Sequence, residues 1–162
     1  MMNDSLLYFN EYGGFSADGR EYKIRVKQDE RTPAPWSHIM ANEKFGTLIT
    51  SNGGGYTWYG NSRENKITTW SNDQISDTNS ETIYIKNNNN IYAATPVVCA
   101  SQNENDFLIT YGFGYAQCET SYSGIKQELT IFVPKESPEK ISILKLKNET
   151  KEEKDINIYY CI

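Results

Sequence analysis

"DFLITYGFGYAQCETSYSGIKQELTIFVP", residues 106–134, decides the fold. β-branched and aromatic residues dominate it and turn residues punctuate it, so it reads as two longer strands with a break near Ser123–Gly124. Nothing in it, or elsewhere in the chain, repeats apolar residues at i, i+3, i+4 and i+7 over a helix-length window. Working outward, "KISILKLKNET" (140–150) and "KDINIYYCI" (154–162) are two further strands joined by the charged turn "NETKEEKD", with Ile156, Ile158, Tyr160 and Ile162 on one face. Upstream, "REYKIRVK" (20–27) alternates Tyr22, Ile24 and Val26 against Lys23, Arg25 and Lys27. "FGTLITS" (45–51) meets "NGGG", whose glycines supply the positive φ of a hairpin, and "YTWYG" (56–60) returns. "ETIYIK", the run "NNNN" (87–90) and "IYAATPVV" form a similar pair with the asparagines at the tip. The reading is an antiparallel all-β domain spanning residues 1–162, most simply a β-sandwich of two sheets. The sequence stops within its last strand, which leads to the expectation of an incomplete sandwich whose unpaired edge joins a second copy, giving a homodimer or larger species.

Composition narrows the classes of function. The chain has 162 residues, a formal charge of −5 and no block of Lys and Arg, so it lacks the basic stripe that nucleic acid requires. No apolar run approaches a membrane span, and the N-terminus lacks the basic and small-residue features of a signal peptide. Cys99, Cys118 and Cys161 are widely separated and odd in number, which suits a reducing compartment and a cytoplasmic location.

Residues that could carry chemistry are few. His38 is the one histidine, and with three scattered cysteines it makes a zinc site or a His-dependent nucleophile a poor expectation. Neither metal nor cofactor is expected. "GFGYA" (112–116) opens no helix, so phosphate cradling is not indicated, and Asn148–Glu149–Thr150 reads as a turn. Asp73 and Asp77 are a conceivable glycosidase-like carboxylate pair, yet an Asp following Asn in a loop commonly caps its own backbone. The unusual stretch is "NSRENKITTWSNDQISD" (61–77), where amides, carboxylates, a guanidinium and an indole crowd together. Such groups suit sugar hydroxyl pairs and a pyranose face, and equally suit tightly hydrogen-bonded turns.

Taken in order, "GGFSADGREYKI" (13–24), "RTPAPWSHIMANEKFGTLITSNGGGYTWYGNSREN" (31–65), "ITTWSNDQISD" (67–77), "ETIYIKN" (81–87), "YGFGYAQCETSYSGIKQELTIFVP" (111–134) and "LKLKNET" (144–150) resemble the N-terminal β-sandwich of glycoside hydrolase family 94. That family, once grouped as glycosyltransferase family 36, includes cellobiose, chitobiose, cellobionic acid and 1,2-β-oligoglucan phosphorylases and the phosphorylase-like region of cyclic β-1,2-glucan synthases. The resemblance implies a galactose-mutarotase-like supersandwich. In complete members a helical linker and an (α/α)₆ barrel follow, and the barrel carries the general acid and most of the phosphate site for inverting phosphorolysis. Asp73 does not stand where the family's acid stands, so no catalytic residue is assigned and the chain alone is expected to be inactive.

The expected role is therefore a non-catalytic domain beside a cleft for β-linked gluco-oligosaccharide, with phosphate relevant only to an intact enzyme. Asn61, Arg63, Trp70, Asn72 and Asp73 are the candidate sugar contacts. The plainer alternative has Arg63 paired with Asp73 or Glu64 and Trp70 filling the core. A lectin-like module using Trp36, Trp58 and Trp70 as a platform is the competing function. Exposure of those rings separates the two.

Overall fold

The computed structural model describes residues 6–27, 31–97 and 106–162; Cys99 lies outside them. The described residues form twelve strands: β1 (Gly13–Phe15), β2 (Tyr22–Val26), β3 (Ser37–Ala41), β4 (Phe45–Thr50), β5 (Gly55–Tyr59), β6 (Thr82–Asn87), β7 (Asn90–Ala93), β8 (Phe107–Gly112), β9 (Tyr115–Tyr122), β10 (Ile125–Phe132), β11 (Ile141–Asn148) and β12 (Ile156–Cys161). Every ladder between them is antiparallel. No helix among the described residues is long and apolar enough to cross a membrane.

Two expectations need correction. The stretch 106–134 makes three strands, because the chain also reverses between Gly112 and Tyr115. Gly114 supplies the positive φ of that turn (81°), just as Ser123 (49°) and Gly124 (75°) supply the one that was expected. The sheets also number three: a six-stranded sheet of order β1-β2-β8-β9-β10-β11, and three-stranded sheets β12-β6-β7 and β3-β4-β5. The two small sheets are joined where Gly55 forms a parallel bridge with Asn79. Asn79 Nδ2 and Ser80 Oγ donate to the Gly53 and Gly55 carbonyls at 2.5 and 2.7 Å, fixing that junction.

Alternation explains how the layers close. Ile24 and Val26, Phe107 and Ile109, Ala116 and Cys118, and Leu129 and Ile131 line one face of the large sheet and pack against Met40, Ile85, Tyr92 and Ala94 of the opposite layer. Each such large apolar side chain contributes about 1.5–3 kcal/mol relative to an exposed one. Gln127 is fully buried among them, and its Nε2 donates to the Ala94 carbonyl at 2.9 Å, tying the layers with a polar bond. On β12 the register places Ile158 opposite Ile85 and Tyr160 opposite Ile83, so the expected common face is present. Only Ile156 of that face is packed against the core; Ile158 and Tyr160 remain 55% and 53% exposed.

Candidate functional site in the loop after β5

The loop between β5 and β6 is built from two side-chain-capped turns with a short edge segment between them. Asn61 Oδ1 accepts the backbone N–H groups of Arg63 (2.8 Å) and Glu64 (2.9 Å), and the Asn61 carbonyl accepts that of Asn65 (3.0 Å). Lys66 to Thr68 then run beside β5: Lys66 bridges Trp58, Ile67 N–H donates to Thr57 O (2.8 Å), and Thr68 Oγ1 accepts Thr57 N–H (2.9 Å). The chain turns back at Trp70, whose indole stacks on the Tyr56 ring. Lys66 Nζ lies 5.4 Å from the centre of the Tyr56 ring and donates to the Trp70 carbonyl at 3.3 Å.

The second turn follows. Asn72 takes a positive φ of 54°, a conformation Asn tolerates better than most residues. Asp73 Oδ1 accepts Ile75 N–H (2.9 Å), its Oδ2 accepts Ser76 Oγ (2.7 Å), and its carbonyl accepts Asp77 N–H (2.9 Å). The Ser76 hydroxyl and then the Ile75 amide hold the Asp73 carboxyl below the usual carboxylate range. Asp77 moves the other way: burial raises its pKa, against hydrogen bonds from Thr50 Oγ1 (2.6 Å) and the Asn52 side chain. The pair weighed for glycosidase chemistry is thus divided, one carboxylate on the surface capping its own loop and the other buried under it.

Of the five candidate contacts, Asn61 and Asp73 are therefore committed to backbone turns. Arg63 is 91% exposed and pairs with Glu64 at 3.2 Å, so of the two partners considered it takes Glu64. Asn72 is exposed, and Trp70 is half-buried on Tyr56, outside the core. Below the start of the loop lies a groove of about 740 Å³ between Tyr59, the Asn42–Lys44 turn and the Val133–Pro138 connection. Gly60 N–H donates to the Lys44 carbonyl at 2.6 Å, which fastens the loop to that groove. Of the candidate residues, Arg63 and Asn72 are exposed and the Trp70 indole is half-buried, and none of the three lines the groove.

The three tryptophans do not form one platform. Trp58 and Trp70 both contact Tyr56, whereas Trp36 packs edge-on against Tyr12 and Tyr22 in another part of the molecule. All three are half-buried.

One polar centre went unnoticed in the sequence. Glu81, the residue before β6, is nearly buried, with its side chain 9% exposed. Its Oε1 accepts Thr57 Oγ1 (2.5 Å) and Thr68 Oγ1 (2.8 Å); its Oε2 accepts the Lys140 ammonium and the Tyr160 hydroxyl (3.0 Å). Burial opposes the charge, but Lys140 and then the Thr57 and Thr68 hydroxyls prevail and lower the Glu81 pKa. This carboxylate ties the loop, β5, β12 and the segment before β11 together. Among the described residues no group of three or more His, Cys, Asp or Glu could hold a metal ion.

Antiparallel sheets packed in layers, with no helix among the described residues, define an all-β domain of the supersandwich class. The family model "Glycosyl hydrolase 94, supersandwich domain" matches residues 20–162, and the chain belongs to that family through this domain. It is 29% identical over 153 residues to the cyclic beta-(1,2)-glucan synthase NdvB of Rhizobium meliloti (strain 1021), covering 94% of this chain and 5% of that protein. It is 30% and 27% identical to the N,N'-diacetylchitobiose phosphorylases of Vibrio proteolyticus and Vibrio furnissii, covering 92% of this chain and 19% of each phosphorylase. The chain thus spans about one-fifth or less of the length of these relatives.

Proposed function

We propose that residues 1–162 act as one non-catalytic supersandwich domain of an inverting glycoside phosphorylase or a related glycosyltransferase-36-like protein, edging a cleft for β-linked gluco-oligosaccharide and supporting subunit assembly. The observation that carries this reading is the family match along residues 20–162, in relatives whose names specify β-linked glucan synthesis and disaccharide phosphorolysis. The fate of the carboxylates supports the non-catalytic role. Asp73 caps a surface turn, Asp77 supports Thr50, and Glu81 is saturated by four partners. Phosphate and its acid catalyst belong to the remainder of an intact enzyme, and a cytoplasmic setting agrees with the spacing of the cysteines.

In this role Arg63 and Asn72 reach outward to sugar hydroxyls while Asn61 and Asp73 hold the loop's shape and Trp70 supports it from Tyr56. Assembly uses the β12 edge, whose Ile158 and Tyr160 are more than half exposed. The test is an assay of this chain with β-1,2- and β-1,4-linked gluco-oligosaccharides and inorganic phosphate. No release of glucose 1-phosphate is expected, and phosphate-dependent cleavage by the chain alone overturns the non-catalytic role.

A further inference from the structure

A second groove, of about 400 Å³, opens where the β1–β2 turn, the β8–β9 turn and the start of β3 converge. Its aromatic lining is interlocked. Tyr22 and Tyr111 are register partners on β2 and β8, and Trp36 meets Tyr22 edge-on at 5.9 Å and 67°. The Tyr111 hydroxyl donates to the Trp36 carbonyl at 3.0 Å, and His38 lies flat on the Tyr111 ring at 4.8 Å and 11°. Phe113, on the tip of the β8–β9 turn, also borders the groove and is 84% exposed. Its position at the mouth leaves the ring face accessible to a ligand lying in the groove.

The polar lining is equally specific. Arg20 and Glu21 stand side by side in it. The Tyr115 hydroxyl, and then Lys23 at 3.1 Å, keep Glu21 ionised. Opposite charges at adjacent positions, with Asp18 beside Arg20, cancel any attraction for phosphate or carboxylate. They leave the Arg20 guanidinium as a planar donor, while Glu21, whose Oε1 accepts the Tyr115 hydroxyl and whose Oε2 faces Lys23, keeps a further lone pair on each oxygen for a sugar hydroxyl. Equatorially substituted β-linked pyranoses present flat C–H faces for aromatic rings together with such hydroxyl pairs.

We propose that this groove binds one or two rings of a neutral β-linked gluco-oligosaccharide, stacking a pyranose face against Trp36 and Phe113 and holding hydroxyls with Arg20 and Glu21. It is a separate site from the loop after β5 and does not depend on the function proposed for that loop.

A Trp58→Phe/Trp70→Phe variant leaves Trp36 as the sole indole. Titrated with β-1,2- and β-1,4-linked glucose disaccharides and trisaccharides, it should show a saturable emission change with a dissociation constant on the order of 1 mM. Calorimetry on a chain that keeps all three tryptophans but carries Arg63→Ala, which removes the loop's outward contact at a highly exposed position, should give the same constant and guards against a folding defect in the double variant. Arg20→Ala and Phe113→Ala, both at exposed positions, should each weaken binding by about fivefold or more while leaving circular dichroism unchanged. The proposal is overturned by no saturable response in calorimetry of the Arg63→Ala chain, by binding indifferent to both substitutions, or by saturable binding of inorganic phosphate in place of the sugars. A hydrophobic dye that binds in a Phe113-dependent way without any sugar response would identify a protein-docking face, which also overturns it. None of these outcomes bears on phosphorolysis, so failure here is distinct from failure of the proposed function.

Discussion

The Trp70 indole lies flat on the Tyr56 ring, with centroids 4.8 Å apart and planes 11° from parallel. Tyr56 is 7% exposed, so the indole serves as a lid over a ring that would otherwise face water. Trp70→Ala should cost about 1–3 kcal/mol through lost burial and stacking, and Trp70→Phe appreciably less. Urea denaturation of the three proteins measures both. An alanine variant as stable as the parent would mean that the loop does not depend on this lid.

Glu81 and Lys140 form an ion pair in which both side chains are largely buried, 9% and 13% exposed. Removing one partner leaves the other desolvated, so Glu81→Gln should destabilise by about 3–5 kcal/mol at neutral pH. The folded-state pKa of Glu81 lies below its ordinary value of 4.5. Its contribution is therefore complete above that value and is lost as pH falls through the folded pKa. Stability measured from pH 6 down to pH 3 should fall less steeply in the Gln variant than in the parent.

His38 gives a second pH dependence of the same sign. Burial on Tyr111 lowers its pKa from the ordinary 6.5, in spite of nearby backbone carbonyls that favour the proton. The unfolded chain thus binds the proton more readily, and the contribution of neutral His38 is present above 6.5 and lost as pH falls below it. Being the one histidine in the chain, its imidazole can be followed directly by NMR. A midpoint at or above 6.5 in the folded protein would refute the assignment.

Gly46 owes its identity to Trp58. A Cβ on Gly46 would collide with the indole, which crosses the strand at that point. Gly46→Ala should destabilise by about 1–3 kcal/mol and shift tryptophan emission as Trp58 is displaced. Unchanged stability and emission together would show that the ring has room to move.

Edge association is tested at β12. Ile158→Lys places a charge on the exposed apolar face and should reduce any dimer seen by sedimentation at micromolar concentration. Only monomer in the parent chain would remove the assembly role from this edge.

The contrast between what was legible and what was not follows the reach of each interaction. Hairpins at Asn52–Gly55 and Ser123–Gly124 were readable because positive φ leaves a local mark in glycine. The reversal at Phe113–Gly114 is hidden because Gly112 and Gly114 sit between two aromatic runs that look continuous. Division of the second layer was equally hidden, since it depends on the Gly55–Asn79 bridge between distant residues. In the loop, residue type signalled Asn61 and Asp73 but could not show whether their oxygens face sugar or backbone; the turns take them. Glu81 carries no local signal at all.

The four partners of Glu81 stand 24, 13, 59 and 79 positions away in the chain. During synthesis this carboxylate leaves the ribosome with Thr57 and Thr68 already made, and then waits for its cation and its last hydroxyl. Until Lys140 emerges, bringing the two small sheets against the large one would bury an uncompensated charge. The Glu81–Lys140 pair thus makes closing of the layers conditional on the chain through Lys140, which couples the small sheets to the large one as a unit.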